Sequence, residues 1–183
     1  MKKALLTAFI CLSLTVSAQE STRPDNAKVN WVTIEEAIQI LEKGGNTKIF
    51  MVDAYTDWCG WCKRMDKSTF RHPEVIEVLN EHFVAVKFNA ESTRDIKFGD
   101  QTLKFVASGR KGYHELAAAL MQGKLSYPTL VFLNENVEMI QPIPGYRNGK
   151  QLLPIIKFLG EGHYLSMSYN KFMEEYEKDS DEE

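Results

Sequence analysis

Two cysteines three positions apart, within Trp58-Cys59-Gly60-Trp61-Cys62-Lys63, are the residues of this chain best suited to chemistry. Thiols at that spacing close a small disulfide ring when the second lies one helical turn beyond the first. A helix starting at Cys59 or Gly60 would offer unpaired N–H groups and the positive end of its dipole to the Cys59 sulfur, which favours the nucleophilic thiolate. Cys62, one turn on, is then placed to resolve a mixed disulfide. The spacing therefore predicts an exposed attacker and a closing partner. Zinc wants about four ligands. There is no second C-x-x-C, and His72, His82, His114 and His163 lack zinc-finger spacing. A c-type haem needs His after the second cysteine, where Lys63 stands. No metal is expected, and no cofactor beyond the cysteine pair itself. A purely structural disulfide is the competing reading.

The rest of the composition bears on where such a pair works. Met1-Lys2-Lys3 precedes an apolar run from Ala4 to Val16 and then Val16-Ser17-Ala18, the layout of a cleavable signal peptide over residues 1–18. That run falls short of the roughly 20 residues a membrane span takes, and Cys11 within it would leave with the signal. The expected product is periplasmic or secreted, with no membrane span after cleavage. Formal net charge is −3, and −5 without Lys2 and Lys3, so neither nucleic acid nor an anionic membrane is favoured as a partner. Two remaining cysteines cannot form a disulfide framework, which takes more pairs set further apart.

The elements that must position the motif are legible around it. After a polar lead-in over 19–30, Thr33-Ile34-Glu35-Glu36 forms a capping box for a helix that Gly44-Gly45 stops. Ile49-Phe50-Met51-Val52 has the continuous apolar character of a strand buried on both faces, and the motif follows it. Pro73 opens a helix through Leu79, and Phe83 to Phe88 forms a second buried strand. Ile96, Phe98, Leu103 and Phe105 flank a Gly99-Asp100 turn, predicting one small hairpin. A helix is expected from His114 to Met121. Strands at Thr129–Leu133 and Val137–Ile140 flank an Asn134-Glu135-Asn136 turn, and the last helix runs from Lys150 to Leu159, bent or started at Pro154. The acidic end from Glu174 is expected to be solvated or frayed. Strands alternating with helices, then a hairpin and a helix, predict a three-layer α/β domain with a central mixed β-sheet flanked by helices.

With the motif between a buried strand and a helix, the chain resembles the thioredoxin superfamily over roughly Trp31 to Leu159. Val52-Asp53-Ala54-Tyr55-Thr56-Asp57-Trp58-Cys59 resembles the family's strand with its buried acid six residues before the first cysteine. Lys87-Phe88-Asn89 resembles the strand whose lysine approaches that acid, Tyr127-Pro128-Thr129 the cis-proline turn, and Gly145 the glycine before the last helix. Asp57-Trp58-Cys59 and Lys67-Ser68-Thr69-Phe70, with His72-Pro73-Glu74-Val75, are similar to the C-terminal reducing domain of DsbD and its soluble periplasmic relatives. The dipeptide departs from the Gly-Pro of thioredoxin and the Pro-His of DsbA, and residues 95–111 form an insertion. The domain plan is then a thioredoxin-like domain over 31–160 and an extension with an acidic tail over 161–183.

The resemblance implies roles. Asp53 would take the Cys62 proton, with Lys87 biasing its charge; the alternative is an acid hydrated at the strand's end. Trp58, Gly60 and Trp61 would form a substrate-facing rim, a reading that the position of the indoles beside the thiols favours over ordinary packing. Tyr127, Pro128 and Thr129 would bind an extended substrate segment. The implied function is reduction of protein disulfides, with protein thiols and disulfides as partners and a membrane electron donor of the DsbD type. The alternatives are a disulfide oxidase or isomerase, and a binding or chaperone module that has kept the fold.

Overall fold

The computed structural model of the chain describes residues 27–109 and 111–181. The expected signal peptide, with Cys11, and residues 19–26 of the lead-in lie outside the described residues. Four strands, β1 (Ile49–Tyr55), β2 (Phe83–Asn89), β7 (Thr129–Leu133) and β8 (Met139–Pro144), form the central sheet in the order β2-β1-β7-β8. β1 and β2 are parallel, whereas β1–β7 and β7–β8 are antiparallel. The sheet is therefore mixed.

Alternation along these strands builds two cores, since successive side chains point to opposite faces. Met51, Ala85, Leu130 and Phe132 face Met65 of α2 (Gly60–Lys67) and the buried sides of α3 (Pro73–His82) and α5 (Gly149–Gly160). Phe50, Val52, Val86 and Val131 face α1 (Ile34–Lys43) and α4 (Glu115–Leu120). This is the expected three-layer α/β architecture.

Local chemistry sets the helix ends. Thr33 and Glu36 form the capping box of α1, with Gly44 at its C-cap. Asn148 and Gln151 form a second box at the start of α5, which runs through Pro154 instead of beginning there. The outer edge of β2 is covered by the chain leading into α1: Val32 accepts from Lys87 N–H and donates to the Ala85 carbonyl. Val29, within the polar lead-in, is buried in the same core as α3 and α5. At the opposite edge β8 carries Pro142 and Pro144, which lack the N–H that a further strand would need.

Three expectations change. The second strand of the β7–β8 hairpin is Met139–Pro144, later than Val137–Ile140, because Asn134 Oδ1 accepts from the N–H groups of both Asn136 and Glu138. That lengthens the turn and leaves Val137 within it at φ 65°. The segment expected as an insertion over 95–111 lies in two hairpins, β3–β4 (Ile96–Phe98, Gln101–Leu103) and β5–β6 (Phe105–Ser108, Lys111–His114), not one, and the second reaches His114, so α4 starts at Glu115. Last, the C-terminal extension forms helix α6 (Tyr169–Asp181), so α5 is not the last helix.

α6 is held by aromatic packing. Phe172 is buried, with Phe158 of α5 at 5.3 Å and His163 at 5.0 Å between ring centroids. Phe172→Ala is expected to lower the unfolding free energy by about 3 kcal/mol, the scale for deleting a packed aromatic ring. Denaturant unfolding of the two proteins checks this, and a loss below about 0.5 kcal/mol, the range of neutral surface substitutions, would show that α6 adds nothing to the core.

Candidate active site

β1 delivers its carboxyl end, residues 53 to 55, beside the start of β7, with Ala54 opposite Thr129. The loop leaving β1 turns at Thr56, whose carbonyl accepts the Cys59 N–H at 3.1 Å, and α2 begins at Gly60. Cys59 is thus the N-cap of α2, and its sulfur accepts the Cys62 N–H at 3.0 Å. The two cysteines are joined as a disulfide with Cα atoms 5.3 Å apart. When that bond is open, the same N–H and the helix dipole face the Cys59 sulfur and favour its thiolate.

The exposure expected of Cys59 is not found in this oxidised state: Cys59 is 4 % and Cys62 2 % exposed. What separates the two sulfurs is their place on the helix. Cys59 stands at the end where the helix presents free N–H donors and its sulfur accepts one, whereas Cys62 lies within the first turn and is buried with Met65.

Asp53, two residues before the end of β1, is buried, which rules out a hydrated carboxylate there. The parallel register puts Lys87 directly opposite Asp53, and its ammonium donates to Asp53 Oδ2. It donates also to Asp66 Oδ1, a contact the sequence reading missed. Asp66 lies four residues after Cys62 on α2, and side chains at that spacing share a helix face. That spacing was the available signal. The rings of Trp31, Tyr55 and Phe70 surround the ammonium at 5.0, 5.1 and 5.2 Å. A pocket of about 310 Å³ lined by Trp31, Asp66, Phe70 and Lys87 opens beside the ammonium.

Two carboxyl groups share one ammonium here. Burial pushes the Asp53 carboxyl up from its ordinary value; Lys87 offsets this only in part, and the charge of Asp66 adds to the rise. For Lys87, burial pulls downward, but the two carboxylates outweigh it and hold the ammonium above its ordinary value. Asp53 Oδ1 has no hydrogen-bond partner among the described residues, so the buried acid keeps an oxygen free to accept a proton. Asp66→Asn removes the like charge and leaves Lys87 to Asp53 alone. Both changes favour the Asp53 carboxylate, so the acid limb of the pH–rate profile for disulfide resolution is expected to move to lower pH. An unmoved limb would separate Asp66 from the buried acid.

Around the disulfide the surface is aromatic. Trp58 and Trp61 are 54 % and 55 % exposed, so both belong to the rim and not to the core. Trp58 stands edge-on to Tyr127 at 5.9 Å, and Trp61 leans on Tyr146 at 5.3 Å with the Arg64 guanidinium 5.4 Å from its ring. Gly60 leaves open space beside them. The Tyr127–Pro128 peptide bond is cis, and the Pro128 carbonyl accepts from Gly145 N–H, where φ is 89°. Thr129 differs from expectation: it is buried, and its hydroxyl donates to the Ser126 carbonyl, so its side chain is not part of the rim. Tyr146, Glu91 and Lys111 join the rim from distant segments and carried no local sequence signal. Among the described residues no group of three or more His, Cys, Asp or Glu is arranged to hold a metal ion, and no helix is long and apolar enough to cross a membrane.

A cysteine pair at the N-terminus of a helix on this mixed sheet is the arrangement of a thioredoxin-like fold. The profile of the family described as Thioredoxin-like domain matches residues 34–160, and the chain belongs to that family. It is 30 % identical over 115 residues, 61 % of its length, to the thiol:disulfide interchange protein DsbD of Tatumella citrea. That alignment spans 16 % of the relative's length, and a match to a Caenorhabditis elegans protein spans 12 % of that relative. Among solved structures it is similar to a candidate disulphide-isomerase of Bacteroides thetaiotaomicron, at 26 % identity and TM-score 0.50, over 74 % of this chain and 94 % of that one. A thioredoxin-fold protein of Helicobacter pylori superposes with TM-score 0.54 at 22 % identity, over 73 % of this chain and 82 % of that one.

Proposed function

We propose that the protein is an exported reductase of protein disulfides that works by dithiol–disulfide exchange at Cys59 and Cys62. The observation that carries this is the placement of Cys59 as N-cap of α2, its sulfur facing the Cys62 N–H, in a domain whose buried Asp53 keeps one oxygen without a partner. In the reduced protein the Cys59 thiolate attacks one sulfur of a substrate disulfide. An S–S bond forms to Cys59, the substrate S–S bond breaks, and one substrate thiolate leaves. Cys62 gives its proton to Asp53 and attacks the Cys59 sulfur. The second substrate thiol leaves, and the protein keeps the Cys59–Cys62 disulfide. Two electrons pass to the substrate through sulfur alone, so the reading needs no other cofactor. Lys87, held between Asp53 and Asp66, leads from the buried acid toward solvent and offers the proton a way out.

The direction rests on the dipeptide, which lacks the histidine of DsbA, and on the likeness to DsbD. A membrane donor of the DsbD type would return the electrons. Work in the periplasm or outside the cell rests on the N-terminal pattern Met1 to Ala18 and on the same relative. Trp58, Trp61 and Tyr127 would form the walls that receive the substrate chain, as their exposure and mutual contacts support. Purified protein is expected to accelerate the reduction of insulin by dithiothreitol, seen as earlier turbidity. No acceleration would favour a binding module that has kept the fold.

A further inference from the structure

The proposal of an exchange enzyme leaves the insertion without a role. Trp58 stands on the loop before α2, and more than half of its surface is exposed. An indole in that position ordinarily turns freely, yet three separate segments hold this one. Its Nε1–H donates to both carboxylate oxygens of Glu91, each at 3.0 Å, just after β2. Tyr127 meets its ring edge-on before β7. Lys111, the first residue of β6, places its ammonium 3.8 Å from the centre of the ring.

The hairpin that carries Lys111 is itself anchored. Gly112 lies under the Phe105 ring, and a Cβ there would meet that ring at 2.1 Å and the Val106 carbonyl oxygen at 2.5 Å, so the two strands approach as only glycine permits. At the end of β6, buried His114 accepts the Leu116 N–H at Nδ1, which leaves Nε2 to donate to the Arg94 carbonyl. Ile96 of the first hairpin is buried against the sheet. The insertion is therefore fastened to the domain, and a clean excision is not to be expected.

We infer that Lys111 is a positioning residue: with Glu91 it holds the Trp58 indole as an exposed wall beside Cys59, and so favours extended polypeptide disulfides over small ones. This rests on the exchange activity proposed above. A cation over an indole face is attractive, and a carboxyl group accepting the indole N–H fixes the ring's rotation from its edge. A small disulfide reaches the sulfur without touching the wall. A polypeptide has to lie along it, so a loosened wall raises the ordering that binding demands.

The test is the rate at which the reduced protein exchanges with insulin, relative to hydroxyethyl disulfide. Lys111 is exposed, so its variants should fold. Lys111→Met is expected to lower the insulin-to-small-disulfide ratio about three- to fivefold, through KM and not kcat, and Lys111→Arg to restore it. In a Trp58→Leu background the Lys111→Met effect should vanish, because it acts through that ring. An unchanged ratio, or the same loss with and without Trp58, would overturn the positioning role while the enzyme reading stands. Wild-type protein that exchanges with neither disulfide would overturn both.

Discussion

Cys62→Ser is expected to turn the protein into a trap that accumulates mixed disulfides with its substrates, whereas Cys59→Ser should accumulate none and lose about 10³-fold or more in exchange rate, the scale on which removing a covalent nucleophile acts. The reason lies in the helix end. Only the Cys59 sulfur is the N-cap that faces a backbone N–H and the dipole, while Cys62 sits in the first turn with Met65 beside it in the core. With both sulfurs almost fully buried in the oxidised state, exposure alone does not assign the roles. Acid quenching, alkylation and mass spectrometry of the two variants after reaction with a protein disulfide read the outcome. Equal trapping by both would remove the assignment.

Asp53→Asn should separate stability from activity. The folded state raises the pKa of Asp53, which means that the fold favours its neutral form. Its contribution is therefore fully present below the unfolded value of about 4 and is lost as pH rises through the folded value. Wild type and variant are expected to unfold alike in acid, and the variant to be more stable at neutral pH, by about 1–3 kcal/mol, as when a buried charge is replaced by a neutral group of similar shape. Lys87 is not orphaned by the change, since Asp66 still accepts from it. The same variant lacks the base proposed for Cys62. Resolution of the mixed disulfide should slow by about a hundredfold near pH 7 and recover as pH approaches the ordinary thiol range near 8.5. Stopped-flow release of substrate across pH, beside denaturant unfolding across pH, measures both halves. A variant no more stable than wild type, with unchanged resolution, would contradict the account of this acid.

Which parts of this were readable from the chain follows from how local their causes are. The capping box Thr33–Glu36 lies within four residues, and α1 begins where it predicts. The apolar runs at Ile49 and Phe83 need only burial on both faces, and β1 and β2 form there. β8 was misplaced because one side chain, Asn134, closes a longer turn than its three polar residues suggest. α6 was missed because its acidic composition masks the spacing of Tyr169, Phe172 and Tyr176, which stack on one another while Tyr169 and Phe172 meet Phe158. At the site, Asp53 and Lys87 came through the family resemblance, and the strand register brings them together. Asp66 could have been found from its i+4 spacing to Cys62. Lys111 could not, because its place over Trp58 depends on how a second hairpin folds back on the sheet.

Cys59 and Cys62 are proposed above to form a reducing dithiol. The most direct test of this is equilibration of the protein in dithiothreitol and glutathione buffers of graded potential, followed by acid quenching and a mass count of the oxidised fraction. The account predicts one reversible two-electron transition near the thioredoxin value of about −270 mV. A transition near the DsbA value of about −120 mV would make the protein an oxidant, and a disulfide that no such buffer opens reversibly would make it a structural bond; either result would contradict the account.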